Sequence, residues 1–101
     1  MDRPPKIRNL LETIRKCLYD GRYLDTRHAF QRQGERNITR PEIVAMLRSG
    51  FHEARKDQFD EVHGAWNYAI RGKTMDARTL RVIVSFDENN MLIITAIHLE
   101  G

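Results

Sequence analysis

The sequence is poor in most of the features that mark specialised proteins. Its single cysteine, Cys17, cannot form an internal disulfide and falls on an apolar helical face, which agrees with a reducing compartment. No apolar run approaches the roughly 18–20 residues of a membrane-crossing helix, and Met1-Asp2-Arg3-Pro4-Pro5-Lys6 lacks the apolar core of a signal peptide. A cytoplasmic location is therefore expected. There is no Gly-rich phosphate loop, nucleophile elbow or dinucleotide fingerprint. His52, His63 and His98 lie at no recognised ligand spacing, and one cysteine cannot supply a thiolate cluster, so no metal and no other cofactor is expected. Internal repeats, low-complexity tracts and linkers are missing as well.

What remains is an ordinary globular composition, 41% hydrophobic and 31% charged over 101 residues, enough for one domain with one core. The charge is unevenly divided. Residues 1–50 hold eleven Lys and Arg against six Asp and Glu, net +5, whereas residues 51–101 hold six against eight, net −2. The first half should carry the positive field and favour contact with nucleic acid or an acidic protein.

That first half reads as helical. Pro4 and Pro5 suit a helix entrance, and Ile7, Leu10, Leu11, Ile14, Cys17 and Leu18 recur at helical spacing up to Asp20-Gly21. Tyr23-Leu24 reads as a link, and Asp25 or Thr26 as the cap of a second helix. Gly34 weakens the last turn of that helix, and Asn37 suits the left-handed residue closing it. Thr39 and Glu42 have capping-box spacing for a third helix, which buries Ile43, Val44 and Leu47 and stops at Ser49-Gly50.

After Gly50 the pattern alternates. Residues 51–55 read as a short strand and residues 56–64 as a polar connection. Trp66, Tyr68 and Ile70 form one face of a strand, Leu80, Val82, Val84 and Phe86 one face of another, and residues 91–99 a nearly continuous apolar strand. Short connections imply antiparallel hairpins. The expected fold is α+β: about three N-terminal helices packed on one face of a four-stranded antiparallel sheet, with residues 1–22 as an N-terminal helix before a core of residues 23–99.

The candidate site lies on the second helix. His28, Arg32 and Arg36 are spaced four apart and would form one cationic stripe. An imidazole beside guanidinium groups suits RNA or phosphate chemistry, and equally a solvated helix face.

The order His28-Ala29 then Arg32, Arg36-Asn37-Ile38-Thr39, Ile43, Gly50, Tyr68-Ala69-Ile70-Arg71-Gly72, Asp76-Ala77-Arg78, Leu80-Arg81-Val82 and Ile93-Ile94-Thr95 resembles an uncharacterised bacterial family, a domain of unknown function. That family is grouped by fold with RelE-like toxins and with metal-independent ribonucleases such as barnase. The resemblance, over about residues 23–99, implies a RelE-like fold, RNA as a possible substrate and a cognate antitoxin as a partner, for some members one with a small zinc-binding module. This chain has Asn37 where the family often has glycine, a mild change. It has Ala77 within Asp76-Ala77-Arg78 where the family often has glycine. Alanine tolerates a left-handed backbone poorly, so a different turn is expected there.

RNA cleavage without metal needs a base for the 2′-hydroxyl proton, an acid for the leaving oxygen and cations for the phosphate. His28 can serve as base or acid near neutral pH. Arg32, Arg36 and Arg81 can hold the phosphate, and Tyr68 or His98 can be the second proton-transfer group. Arg32, Arg36, Arg40 and Arg71 are the candidate nucleic-acid contacts. The structural alternative has His28 donating to a strand carbonyl, Arg32 paired with Glu35 or Glu42, and Tyr68 in the core. Function therefore divides three ways: a toxin-type endoribonuclease, a non-catalytic module binding nucleic acid or an acidic partner through the same basic surface, or a partner whose sheet edge pairs with another chain.

Overall fold

The computed structural model describes residues 3–99, apart from the side chains of His28 and Phe30. Helix α1 (Leu10–Asp20) buries Leu10, Ile14, Cys17 and Leu18 and is closed by Gly21 at φ +70°. It begins later than the prolines suggest. The backbone before it is engaged by the sheet: Pro4 O accepts from Trp66 Nε1 at 2.8 Å, and Ile7 N–H donates to the Tyr68 hydroxyl at 2.9 Å. Two consecutive prolines also hold the preceding residues extended.

Helix α2 (Arg27–Arg36) starts where the Thr26 hydroxyl accepts from Ala29 N–H at 3.1 Å and ends on Asn37 at φ +55°. Gly34 sits within it without ending it. Helix α3 (Arg40–Ser49) carries the capping box, with both the Thr39 and the Glu42 hydrogen bonds formed, and buries Ile43, Met46 and Leu47.

The sheet departs from the expectation. It has six strands and is mixed rather than four-stranded and antiparallel, in the order β1-β6-β5-β4-β2 with β3 also on β4. Strand β1 (Tyr23–Asp25) occupies what reads as a link, and runs parallel to β6 (Met91–Leu99) with Tyr23 opposite Met91. The crossover that a parallel pair needs is supplied by all the chain between them. The stretch read as a strand over 51–55 is only β2 (Phe51–His52), followed by a 3-10 turn, Ala54–Lys56. The polar connection contains β3 (Gln58–Asp60). Strands β2 and β3 lie in line along one edge of β4 (Ala65–Lys73), while β5 (Thr79–Phe86) takes the other edge.

The helices share one face of this sheet. Tyr68, Ile70, Leu80, Val82, Val84, Met91, Ile93 and Ala96 join Ile14, Ile43, Met46 and Leu47 in one core. The alternation expected in β5 holds, with Leu80, Val82 and Val84 buried. In β6 the register slips between Ile83 and Val84, leaving Ile94 as an extra residue between Ile93 and Thr95. The bulge reverses the phase of the strand, so Met91 and Ile93 face the core before it and Ala96 after it, which produces the nearly continuous apolar run.

Beyond its pairing with β1, strand β6 would be an open edge, and α2 covers it. Thr26 N–H donates to Ile93 O at 3.0 Å, Arg36 Nη1 donates to Ala96 O at 2.8 Å, and His98 Nε2 meets Arg36 O at 2.9 Å. These contacts satisfy groups that would otherwise be free to pair with another chain.

The turn between β4 and β5 also corrects the sequence reading. Ala77 keeps the left-handed backbone at φ +65°, held by Thr74 N–H to Arg78 O and by Ala77 N–H to Thr74 O. An L-residue there is disfavoured by about 1–2 kcal/mol, part of which glycine would return as chain entropy in the unfolded state. Ala77→Gly should therefore raise stability by about 0.5–1 kcal/mol, measured as a higher urea midpoint with unchanged slope; a lower midpoint would show that the turn does not strain the alanine.

Candidate functional site

The expected stripe on α2 does not assemble as a cleft among the described residues. His28 is the second residue of α2, and its side chain lies outside the described ones. Arg32 is exposed and paired with Glu35 at 3.2 Å, one of the two carboxylates the structural alternative names. Arg36 turns to the edge of β6, where it also donates to Thr95 Oγ1 at 3.2 Å. Arg40 lies 3.5 Å from the buried Asp25 carboxylate and stacks on the Tyr23 ring at 4.9 Å.

Arg71 and Arg81 do meet, on the sheet face away from the helices, as a directly opposed pair across β4 and β5. Two like charges opposite one another repel. Glu53 offsets this: Arg81 donates to both its carboxylate oxygens, at 2.7 and 3.2 Å, and Arg71 approaches within 3.5 Å. The hydrogen bonds from Arg81 hold the Glu53 carboxyl below its ordinary value of 4.5, and the same contact raises the Arg81 guanidinium. Tyr68 is core, its hydroxyl taken by Ile7 N–H and its ring edge-on to His52 and Phe86.

The arrangement with the most chemical character was not expected. Between β2 and β3 the outer edge of β4 has a gap at Ala69. Its carbonyl accepts from Glu53 N–H at 2.8 Å, and its N–H donates to Asp57 Oδ1 at 2.9 Å. The other oxygen of the fully buried Asp57 carboxylate accepts from His52 Nε2 at 2.7 Å and pairs with Lys6 Nζ at 2.9 Å. A carboxylate taking these bonds is the acceptor, so Nε2 is the protonated nitrogen. Lys6 in turn lies over the Trp66 ring at 4.7 Å.

His52 lines a shallow depression of about 500 Å³ with Arg8, Asn9, Glu12 and Arg15. In sequence, His52 shows only as a histidine at no ligand spacing. The signal that could have found the site was the run of charged residues around Asp57, in a stretch that reads as a connection. Among the described residues, no group of three or more His, Cys, Asp and Glu is placed to hold a metal ion.

Glu53 supplies a pH test of the outer cluster. A carboxyl more acidic in the folded than in the unfolded chain stabilises the fold above its ordinary titration, and the gain is lost as pH falls through the lowered value. Glu53→Gln should cost about 2–3 kcal/mol at neutral pH, measured by urea unfolding, with the difference from wild type closing as pH falls below 4.5. A difference that did not change with pH would contradict this.

Among curated proteins and among solved structures, none matches the chain significantly. A family model does match, over residues 26–98. The match takes in His52, Glu53 and Asp57 and leaves out Lys6, Arg8 and Arg15. The chain belongs to that family, described as a domain of unknown function (DUF4258).

Proposed function

We propose that this protein is a RelE-like, toxin-type domain that acts on RNA in the cytoplasm, without a metal ion, and is restrained by a cognate antitoxin. The order of helices followed by the antiparallel β4-β5-β6 meander supports the grouping with RelE-like toxins and barnase-type ribonucleases. The observation that carries the RNA reading is a basic surface on the helical layer. Arg15 Nε donates to Arg48 O at 2.8 Å, which ties the outer side of α1 to the last turn of α3. Arg8, Arg15, Lys16 and Arg48 are all exposed, and among the described residues no carboxylate lies within ion-pair distance of them. Glu12 is the acidic residue among them. Such a surface holds a phosphate backbone without reading sequence.

A second reading has its own observation. Arg32 and Arg40 each pair with a carboxylate of the chain, and Arg71 and Arg81 share Glu53. This takes these four away from phosphate chemistry and favours a non-catalytic module that binds an acidic protein through the exposed Arg8, Arg15, Lys16 and Arg48.

Fluorescence anisotropy with a single-stranded oligoribonucleotide separates the two. The RNA reading predicts that log affinity falls linearly with log salt, by about 0.7 per phosphate neutralised. Arg15→Ala combined with Arg48→Ala should flatten the slope by about 1.4. Absence of binding, or a slope unmoved by losing both arginines, would overturn this reading.

A further inference from the structure

We infer that the proton-accepting centre of this protein is His52, which lines the depression beside α1 and is oriented by Asp57, and that its substrate is an RNA phosphodiester. The inference rests on the RNA reading above and assigns it a reacting atom. His52 has three properties that a general base needs and that none of the other described histidines combines.

The first is orientation. Nε2 is held at 2.7 Å by a carboxylate that is itself fully buried and fixed by Ala69 N–H, and Tyr68 stands edge-on to the ring at 5.9 Å. The second is a free acceptor. Nδ1 makes no hydrogen bond to a described residue, and no buried side-chain nitrogen or oxygen among the described residues lacks a partner, so Nδ1 opens to solvent. With the proton on Nε2, Nδ1 carries the lone pair. The third is charge. Arg8 and Arg15 line the same depression as His52, and guanidinium groups suit the non-bridging oxygens of a phosphate. By contrast, His98 is bonded to the Arg36 carbonyl and His63 is an exposed partner of Asp60.

The step balances with water as co-reactant. Nδ1 takes the proton of the 2′-hydroxyl as the 2′-oxygen bonds to phosphorus. The bond from phosphorus to the 5′-oxygen breaks, and the 5′-oxygen takes a proton from water. The hydroxide so formed removes the proton from Nδ1. The products are a 2′,3′-cyclic phosphate and a 5′-hydroxyl, with no redox change. Asp57 stays ionised throughout and stabilises the imidazolium while it exists.

The test uses the full chain, an oligoribonucleotide and its 2′-deoxy counterpart, with binding and cleavage measured separately. Wild type should release cyclic-phosphate ends from the ribo strand and leave the deoxy strand intact. His52→Ala should lower cleavage by about a hundredfold or more while RNA affinity changes by less than about twofold, and His63→Ala should leave both unchanged. RNA that is bound but uncut by wild type, or cleavage lost with His28→Ala and kept with folded His52→Ala, overturns the assignment to His52 and leaves RNA binding standing. RNA that is not bound at all overturns the reading beneath it. Should His52→Ala fail to fold, wild type alone decides: uridine 3′-monophosphate should shift the His52 imidazole nitrogen resonances, and a shift at another histidine with His52 unmoved overturns the inference.

Discussion

One buried carboxylate joins the sheet edge, the N-terminal segment and the candidate site. Strands β2 and β3 line the same edge of β4 but leave a gap at Ala69, where a strand residue would normally answer both backbone groups. Asp57 answers one of them with Oδ1, and the backbone of Glu53 answers the other. A buried carboxylate is costly to desolvate and persists only when its remaining lone pairs are satisfied. His52 and Lys6 satisfy them. Lys6 carries the segment before α1 across Trp66, and that segment also donates to the hydroxyl of Tyr68. The irregular edge thus explains why residues 3–7 run along the sheet instead of extending the helix.

The same economy of charge governs the arginines. Those near the sheet are held by partners: Arg81 and Arg71 by Glu53, Arg40 by Asp25, and Arg36 by the carbonyl of Ala96. Each such contact stabilises the fold and removes a cation from any role in binding. Of the exposed cations with no carboxylate partner among the described residues, Arg8 and Arg15 line the depression that contains His52, Lys16 and Arg48 lie on the same helical layer, and Arg27, Arg55, Lys56 and Lys73 lie elsewhere. The net +5 of the first half therefore overstates the field available on α2 and understates its concentration around α1. The family match starts at residue 26, so the basic wall of the depression belongs to a part of the chain beyond it.

Local signals were legible where structure is local. Thr39 with Glu42 and Thr26 marked helix starts through side chains three residues from the groups they cap, Asn37 marked a helix end through its tolerance of a left-handed backbone, and all three act as expected. The alternation of β5 was equally plain. Strands β1 and β3 were hidden because three residues are too few to show a period, and β1 also because its partner lies far along the chain, with Tyr23 opposite Met91. The bulge at Ile94 hid the alternation of β6 by reversing it. The candidate site was hidden for a related reason. Spacing reveals that His28, Arg32 and Arg36 share a helix face, but not that Arg36 is drawn to Ala96, sixty residues on. Nor can spacing show that Asp57 is buried, since β4 buries it.

Everything proposed for the site turns on Asp57 holding the His52 proton on Nε2, which leaves the lone pair on the solvent-open Nδ1. Long-range nitrogen–proton NMR of the neutral imidazole reads this directly. His52 should show a single Nε2–H tautomer, which collapses to a rapidly averaging mixture in Asp57→Asn. An Nδ1–H tautomer in the wild-type protein, or one indifferent to Asp57, would contradict it.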